Sequence, residues 1–233
     1  MPQGRLDRSA SVRYDALVTV HSAILFDLDG TLTRPYLDFD AIRAEIGITG
    51  GPILEALSAM DDDARERGET ILLRHEAEAA THATLQEGAV HVLATLRSQG
   101  FPVGIVTRNA RRTVHEVLEA HGIVVDGIRT REDGAIKPSP EAVRSLCEQF
   151  GASPAMSWMV GDYLFDVLAG NAAGARTVLM LGDSECPDYG AQADFVIRRL
   201  AELLPLVTER STGNSRRQPR ESNGGDCPQI ELE

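Results

Sequence analysis

From Gly88 onward the chain alternates short apolar runs with amphipathic stretches, and no other feature restricts the fold so strongly. "PVGIVT" (102–107), "IVVDGIRT" (123–130), "MSWMVGD" (156–162), "ARTVLML" (175–181) and "ADFVI" (193–197) read as strands. Between them, residues 89–99, 110–121, 139–150 and 165–173 read as helices, the first three stopped by Gly100, Gly122 and Gly151. Strands alternating with helices imply βαβ units, and therefore a parallel sheet with helices on both faces. One further strand, "SAILFD" (22–27), comes much earlier. Residues 38–86, in between, are rich in Ala, Glu, Leu and Arg at helical spacing, and Gly47 and "TGGP" (49–52) interrupt them. The expectation is an α/β fold with a Rossmann-like parallel sheet and a small unit of two or three helices inserted after the first strand.

The 233 residues suffice for one large α/β domain carrying such an insertion. The expected layout is a flexible segment at 1–20, an α/β core at 21–34 and 87–208, the helical insertion at 35–86, and a polar, disordered tail at 209–233. The formal net charge is −12, and because charges nearly cancel at both ends the acidity belongs to the folded part. That argues against nucleic acid as a partner. It leaves room for an anionic substrate beside a bound divalent cation. No apolar run reaches the roughly 20 residues that cross a bilayer, and the N-terminal stretch lacks the apolar core of a secretory signal. Cys147, Cys186 and Cys227 are far apart and show neither a disulfide framework nor zinc spacing. A reducing, cytoplasmic setting is the plain reading, with thiols that are structural or exposed.

In open α/β sheets the active site gathers at the carboxyl ends of the strands. There the first strand delivers Asp27-Leu28-Asp29-Gly30-Thr31, and "GIVT" ends in Thr107, followed by Arg108 and Asn109. "SWMVGD" ends in Asp162, with Asp166 four residues on, and Lys137 sits in the loop "AIKPSP". Extended backbone places residues i and i+2 on one face, which would pair Asp27 with Asp29. Clustered carboxylates bind Mg²⁺ through hard oxygens. One carboxylate can attack phosphorus, and a second can shuttle the proton. Each motif alone has a bland reading: a turn, a strand end, a solvated lysine, or acids at a helix N-terminus. Together, on one sheet edge, they suit phosphate-ester hydrolysis.

In order and spacing, "DLDGT", "IVTRN", "IKPSP" and "GDYLFD" resemble the motifs of the haloacid dehalogenase (HAD) superfamily, in the group that includes phosphoglycolate phosphatases. Thr107 follows Asp27 by 80 residues, Lys137 follows by 30 and Asp162 by 25. The likeness covers residues 22–34 and about 87–200, and the helical insert matches that family's cap only in location. It implies that Asp27 is the nucleophile that becomes phosphorylated and also a metal ligand. It makes Asp29 the general acid/base, with its backbone carbonyl toward the metal. Thr107 would hydrogen-bond a phosphoryl oxygen, Lys137 would offset charge on the nucleophile and phosphate, and Asp162 and Asp166 would hold Mg²⁺. The implied substrate is a small phosphorylated metabolite, the protein acting as a monomer or homodimer.

Asp29 is the residue that a phosphatase or phosphomutase of the family has and a dehalogenase lacks. The short insert favours a hydrolase over a mutase. A non-catalytic phosphate-binding regulatory protein is the alternative of another class. Arg34 is a candidate for a second anionic group; Arg108 is similar, its backbone N–H being the safer phosphate ligand. Asp61–Asp63 are expected to cap a helix, His75 and His82 to be structural, and Trp158 to be core.

Overall fold

The structure, a computed structural model, describes residues 22–212. Strand β1 (Ile24–Phe26) is followed by helices α1 (Phe39–Ile46), α2 (Ile53–Ser58) and α3 (Asp62–His82). The alternation then runs α4 (Ala89–Ser98), β2 (Val103–Val106), α5 (Arg111–Ala120), β3 (Gly127–Arg129) and α6 (Glu141–Gln149). It ends with β4 (Trp158–Gly161), α7 (Leu164–Ala173), β5 (Arg176–Met180), β6 (Phe195–Ile197) and α8 (Leu203–Thr212). The expected segments at 1–20 and 213–233 lie outside the described residues, while the first four residues of the expected tail continue α8.

The six strands form one sheet in the order β3-β2-β1-β4-β5-β6, with every pairing parallel. Side chains alternate across it as the pleat requires. Ile24, Phe26, Val103, Ile105, Trp158 and Val160 pack on one face with α4, α5 and α8. Ala23, Leu25, Val106 and Met159 pack on the other with α6 and α7. Strands buried on both faces read as continuous apolar runs, which is why their sequences show no clean alternation. Helix α6 approaches closely because Gly104 and Gly127 lack a Cβ; one at either place would lie 2.8 Å from a Leu146 methyl.

Helices α1–α3 enclose a separate apolar cluster of Ile42, Ile53, Leu57 and Leu72. Asp38 caps α1 by accepting from the Asp40 and Ala41 amides, and Gly47 ends it at φ +88°. Asp61 caps α3 by accepting from the Ala64 amide. Within α3, Gly68 lets Leu57 pack against the helix, since a Cβ there would lie 2.3 Å from a Leu57 methyl. His75 pairs with Glu45 at 2.8 Å, and His82 stacks on Tyr36 at 5.5 Å, so both serve structure. Trp158 is fully buried.

Cys147 is buried and free, but Cys186 is disulfide-bonded. That corrects the reading of three unpaired thiols, since linear spacing carries no information on pairing across a fold. No helix among the described residues is long and apolar enough to cross a membrane.

Candidate active site

Strand β1 is third from the β3 edge and fourth from the β6 edge, and its carboxyl end opens between those of β2 and β4. Asp27 follows the strand directly, and its amide donates to the Val160 carbonyl at 2.8 Å. The chain then turns: the Leu32 and Thr33 amides both donate to the Leu28 carbonyl at 2.9 Å, and Leu28 is fully buried beneath the turn. Asp29 therefore reaches the site from a turn and not from extended backbone, a correction to the alternating-face argument. Gly30 makes the turn possible at φ +80°, and a Cβ there would lie 2.0 Å from Asp162 Oδ2. Thr31 Oγ1 donates to Asp162 Oδ1 at 3.2 Å, tying the first loop to the fourth strand.

The loops bring together Asp27, Lys137, Asp162 and Asp166. Lys137 is 2% exposed and lies 2.7 Å from Asp27 Oδ1 and 2.6 Å from Asp166 Oδ1. Burial alone would push the ammonium toward neutrality; Asp166 and Asp27 overturn this and hold its pKa above the usual lysine value. Asp166 also accepts from the Tyr163 amide at 3.1 Å, at the first turn of α7. Gly161 leaves room for it, since a Cβ there would lie 2.1 Å from Asp166 Cγ.

Negative charge is in excess. Burial, then Asp27 and Asp166, push Asp162 up to about 8. Burial chiefly raises Asp166 to about 6, against the pull of Lys137. Carboxylate oxygens of Asp27, Asp162 and Asp166 all lie within 4.8 Å of one another. Asp27 Oδ1 is buried and, despite its ion-pair contact with Lys137, makes no aligned hydrogen bond. Three hard oxygens, one of them under-coordinated, with more negative charge than one lysine offsets, fit a divalent cation such as Mg²⁺.

Asp29 is set apart from this triad. Its Oδ2 accepts from Asn109 Nδ2, and burial, then Asp27, push its pKa up to about 7. Asn109 was named in the sequence only as a neighbour of Arg108. The Thr107 hydroxyl, which accepts from the Asn109 amide at 3.1 Å, keeps its own proton to donate.

Two further residues had no sequence signal. Glu76 of α3 is 2% exposed and pairs with Arg131 at 2.5 Å, and the same Arg131 nitrogen donates to the Arg108 carbonyl at 3.3 Å. The pair ties α3 to the loop that carries Thr107 and Asn109. The Arg108 guanidinium bonds the Lys137 carbonyl and Glu55 of α2. Arg34 is exposed, its amide donating to the Thr84 carbonyl at 2.8 Å.

A parallel sheet with this set of carboxylates and a buried lysine at its carboxyl edge defines a hydrolase of the phosphatase class. The chain belongs to the haloacid dehalogenase-like hydrolases, whose family model matches residues 21–174. It is similar to pyrophosphatase PpaX of Bacillus pumilus, 30% identical over 80% of this chain and 96% of that one. It is also similar to a haloacid dehalogenase-like hydrolase domain-containing protein of Arabidopsis thaliana, 27% identical over 79% of this chain and 82% of that one. Among solved structures, a hydrolase from Pseudomonas syringae superposes with TM-score 0.67 at 25% identity, over 81% of this chain and 99% of the other. A predicted phosphoglycolate phosphatase from Haemophilus somnus superposes with TM-score 0.65 at 21% identity, over 81% and 98%, and shares the fold.

Proposed function

We propose that the protein is a Mg²⁺-dependent phosphatase that hydrolyses a small phosphate monoester through an aspartyl-phosphate on Asp27. The observation that carries this is the division of labour among the carboxylates. Asp27 lies against Lys137 and the Asp162–Asp166 pair, whereas Asp29 is bonded to Asn109 and held near neutrality. A bound Mg²⁺, held by Asp27, Asp162, Asp166 and the Asp29 carbonyl, would offset charge on the phosphoryl oxygens.

The Asp27 carboxylate attacks phosphorus and the ester P–O bond breaks. The leaving alkoxide takes its proton from Asp29, which with a pKa of about 7 is substantially protonated at neutral pH. The Asp29 carboxylate then accepts a proton from water as that water attacks the phosphorus of the aspartyl-phosphate. Inorganic phosphate leaves and Asp27 is restored. Thr107 and the Arg108 amide hold phosphoryl oxygens, and Lys137 offsets charge on the nucleophile. Helices α1–α3 act as the cap over this site.

The test is phosphate release from a panel of esters, with p-nitrophenyl phosphate and inorganic pyrophosphate included, with and without Mg²⁺. Wild type should release phosphate only with the metal, and Asp27→Asn should release none. Equal release by both proteins overturns the nucleophile assignment. Transfer of the group between sugar hydroxyls without net phosphate would mark a mutase.

A further inference from the structure

Arg108 carries a second role, one that rests on the phosphatase reading above. Its guanidinium stands where three loops of the site meet. It bonds the carbonyl of Lys137, lies 4.6 Å over the ring of Phe165, and follows Thr107 in the chain. Its remaining bond, 2.6 Å long, goes to Glu55 of α2. The Glu55 side chain is 46% exposed against 19% for Arg108, so the carboxylate can leave while the guanidinium stays packed on Phe165.

Two other cations near the site are committed. Lys137 is shared between Asp27 and Asp166, and Arg131 is held by Glu76, whose side chain is 3% exposed. Guanidinium groups bind carboxylates and phosphates through the same planar fork. A carboxylate from the insert therefore already occupies this fork.

We propose that Arg108 is a specificity-determining residue that binds a second anionic group on the substrate, and that Glu55 is its resident ligand until substrate displaces it. The substrate class is a phosphate ester whose leaving group carries a carboxylate or another phosphate near the ester oxygen. A self-ligand lowers apparent affinity by the fraction of molecules in which it is bound. An exposed pair of this kind is weak enough to exchange.

The experiment compares kcat/KM for phosphoglycolate with that for ethyl phosphate, which has a methyl group in place of the distal carboxylate. The ratio of the two should fall about tenfold or more in Arg108→Met, the scale of a lost charge-assisted hydrogen bond. In Glu55→Gln the same ratio should rise roughly threefold to fivefold, the scale of an exposed ion pair. In the double variant Glu55→Gln should add nothing. Additive effects show that Glu55 acts by repulsion alone and overturn its role as ligand. A ratio unmoved by either variant makes the pair a simple latch and overturns the proposal, while leaving the phosphatase reading intact. Calorimetric binding of 3-phosphonopropionate and propylphosphonate with Mg²⁺ reads the same discrimination without turnover. If wild type neither hydrolyses the esters nor binds either phosphonate, the phosphatase reading fails with it.

Discussion

Raising the pH of metal-free protein from 5 to 8 should destabilise it, and the carboxylates of the site set the size of the effect. Asp29 titrates at about 7 and Asp162 at about 8 in the folded chain, against 3.8 for an ordinary aspartate. Between that value and the folded one, the native state binds more protons than the unfolded state, so stability falls as pH rises. Each pH unit well inside that window costs about 1.4 kcal/mol per group, and because Asp29 is half ionised at its folded pKa the loss between pH 5 and 7 is roughly 2 kcal/mol. Asp162 acts over the same window, and because both feel Asp27 the two do not simply add. A loss of several kcal/mol lowers the melting temperature of a chain this size by about 10 °C. Thermal melts in EDTA at pH 5, 6, 7 and 8 measure it, with Asp29→Asn and Asp162→Asn each showing a shallower fall. Added Mg²⁺ should restore more stability at pH 8 than at pH 5, since it needs ionised ligands. A wild-type melting temperature that is flat or rises over this range in EDTA, or a fall that both variants retain in full, refutes the reasoning.

Two structural variants test the layout. Gly161→Ala places a Cβ where Asp166 Cγ stands, 2.1 Å away, so the protein should keep its sheet but lose Mg²⁺-dependent thermal stabilisation and activity. A normal metal-induced shift in melting temperature would contradict this. Leu57→Ala opens the apolar cluster of the insert and should cost about 2–5 kcal/mol there. Hydrogen exchange should then quicken within residues 38–82 and leave the sheet protected; uniform quickening would deny the insert independence from the core.

The fold was legible because apolar strand runs and helix stops repeat regularly after Gly88, and the six parallel strands follow from that alternation. Residues 38–86 gave three helices because Gly47 and the glycines at 50–51 stop chains that otherwise favour helix. The site was less legible. Asp27, Lys137, Asp162 and Asp166 are brought together at the carboxyl edge of the sheet. The route of Asp29 was not readable, because the turn at Gly30 answers to Asp162, far along the chain. Glu76 stands among other glutamates on α3 and reads as one more solvated acid. Only its distant partner Arg131 makes it a buried one. Arg108 was readable as a candidate for an anionic group, but its partners were not, since Glu55 and Phe165 lie far from it in the chain.

The order of strands also sets when the site can exist during synthesis. Strand β1 lies between β2 and β4, and Ala23 at its start is bonded to Ser157, 134 residues later. A chain emerging from the ribosome as far as α6 holds Asp27, Asp29, Thr107 and Lys137 but lacks Asp162, Asp166 and one neighbour of its central strand. Lysine 137 then has no Asp166 to share, and the buried edge of β1 stands open. Closure of the sheet and assembly of this cluster are thus one event, and on the function proposed above catalytic activity recovered on refolding reports that β4 has taken its place beside β1.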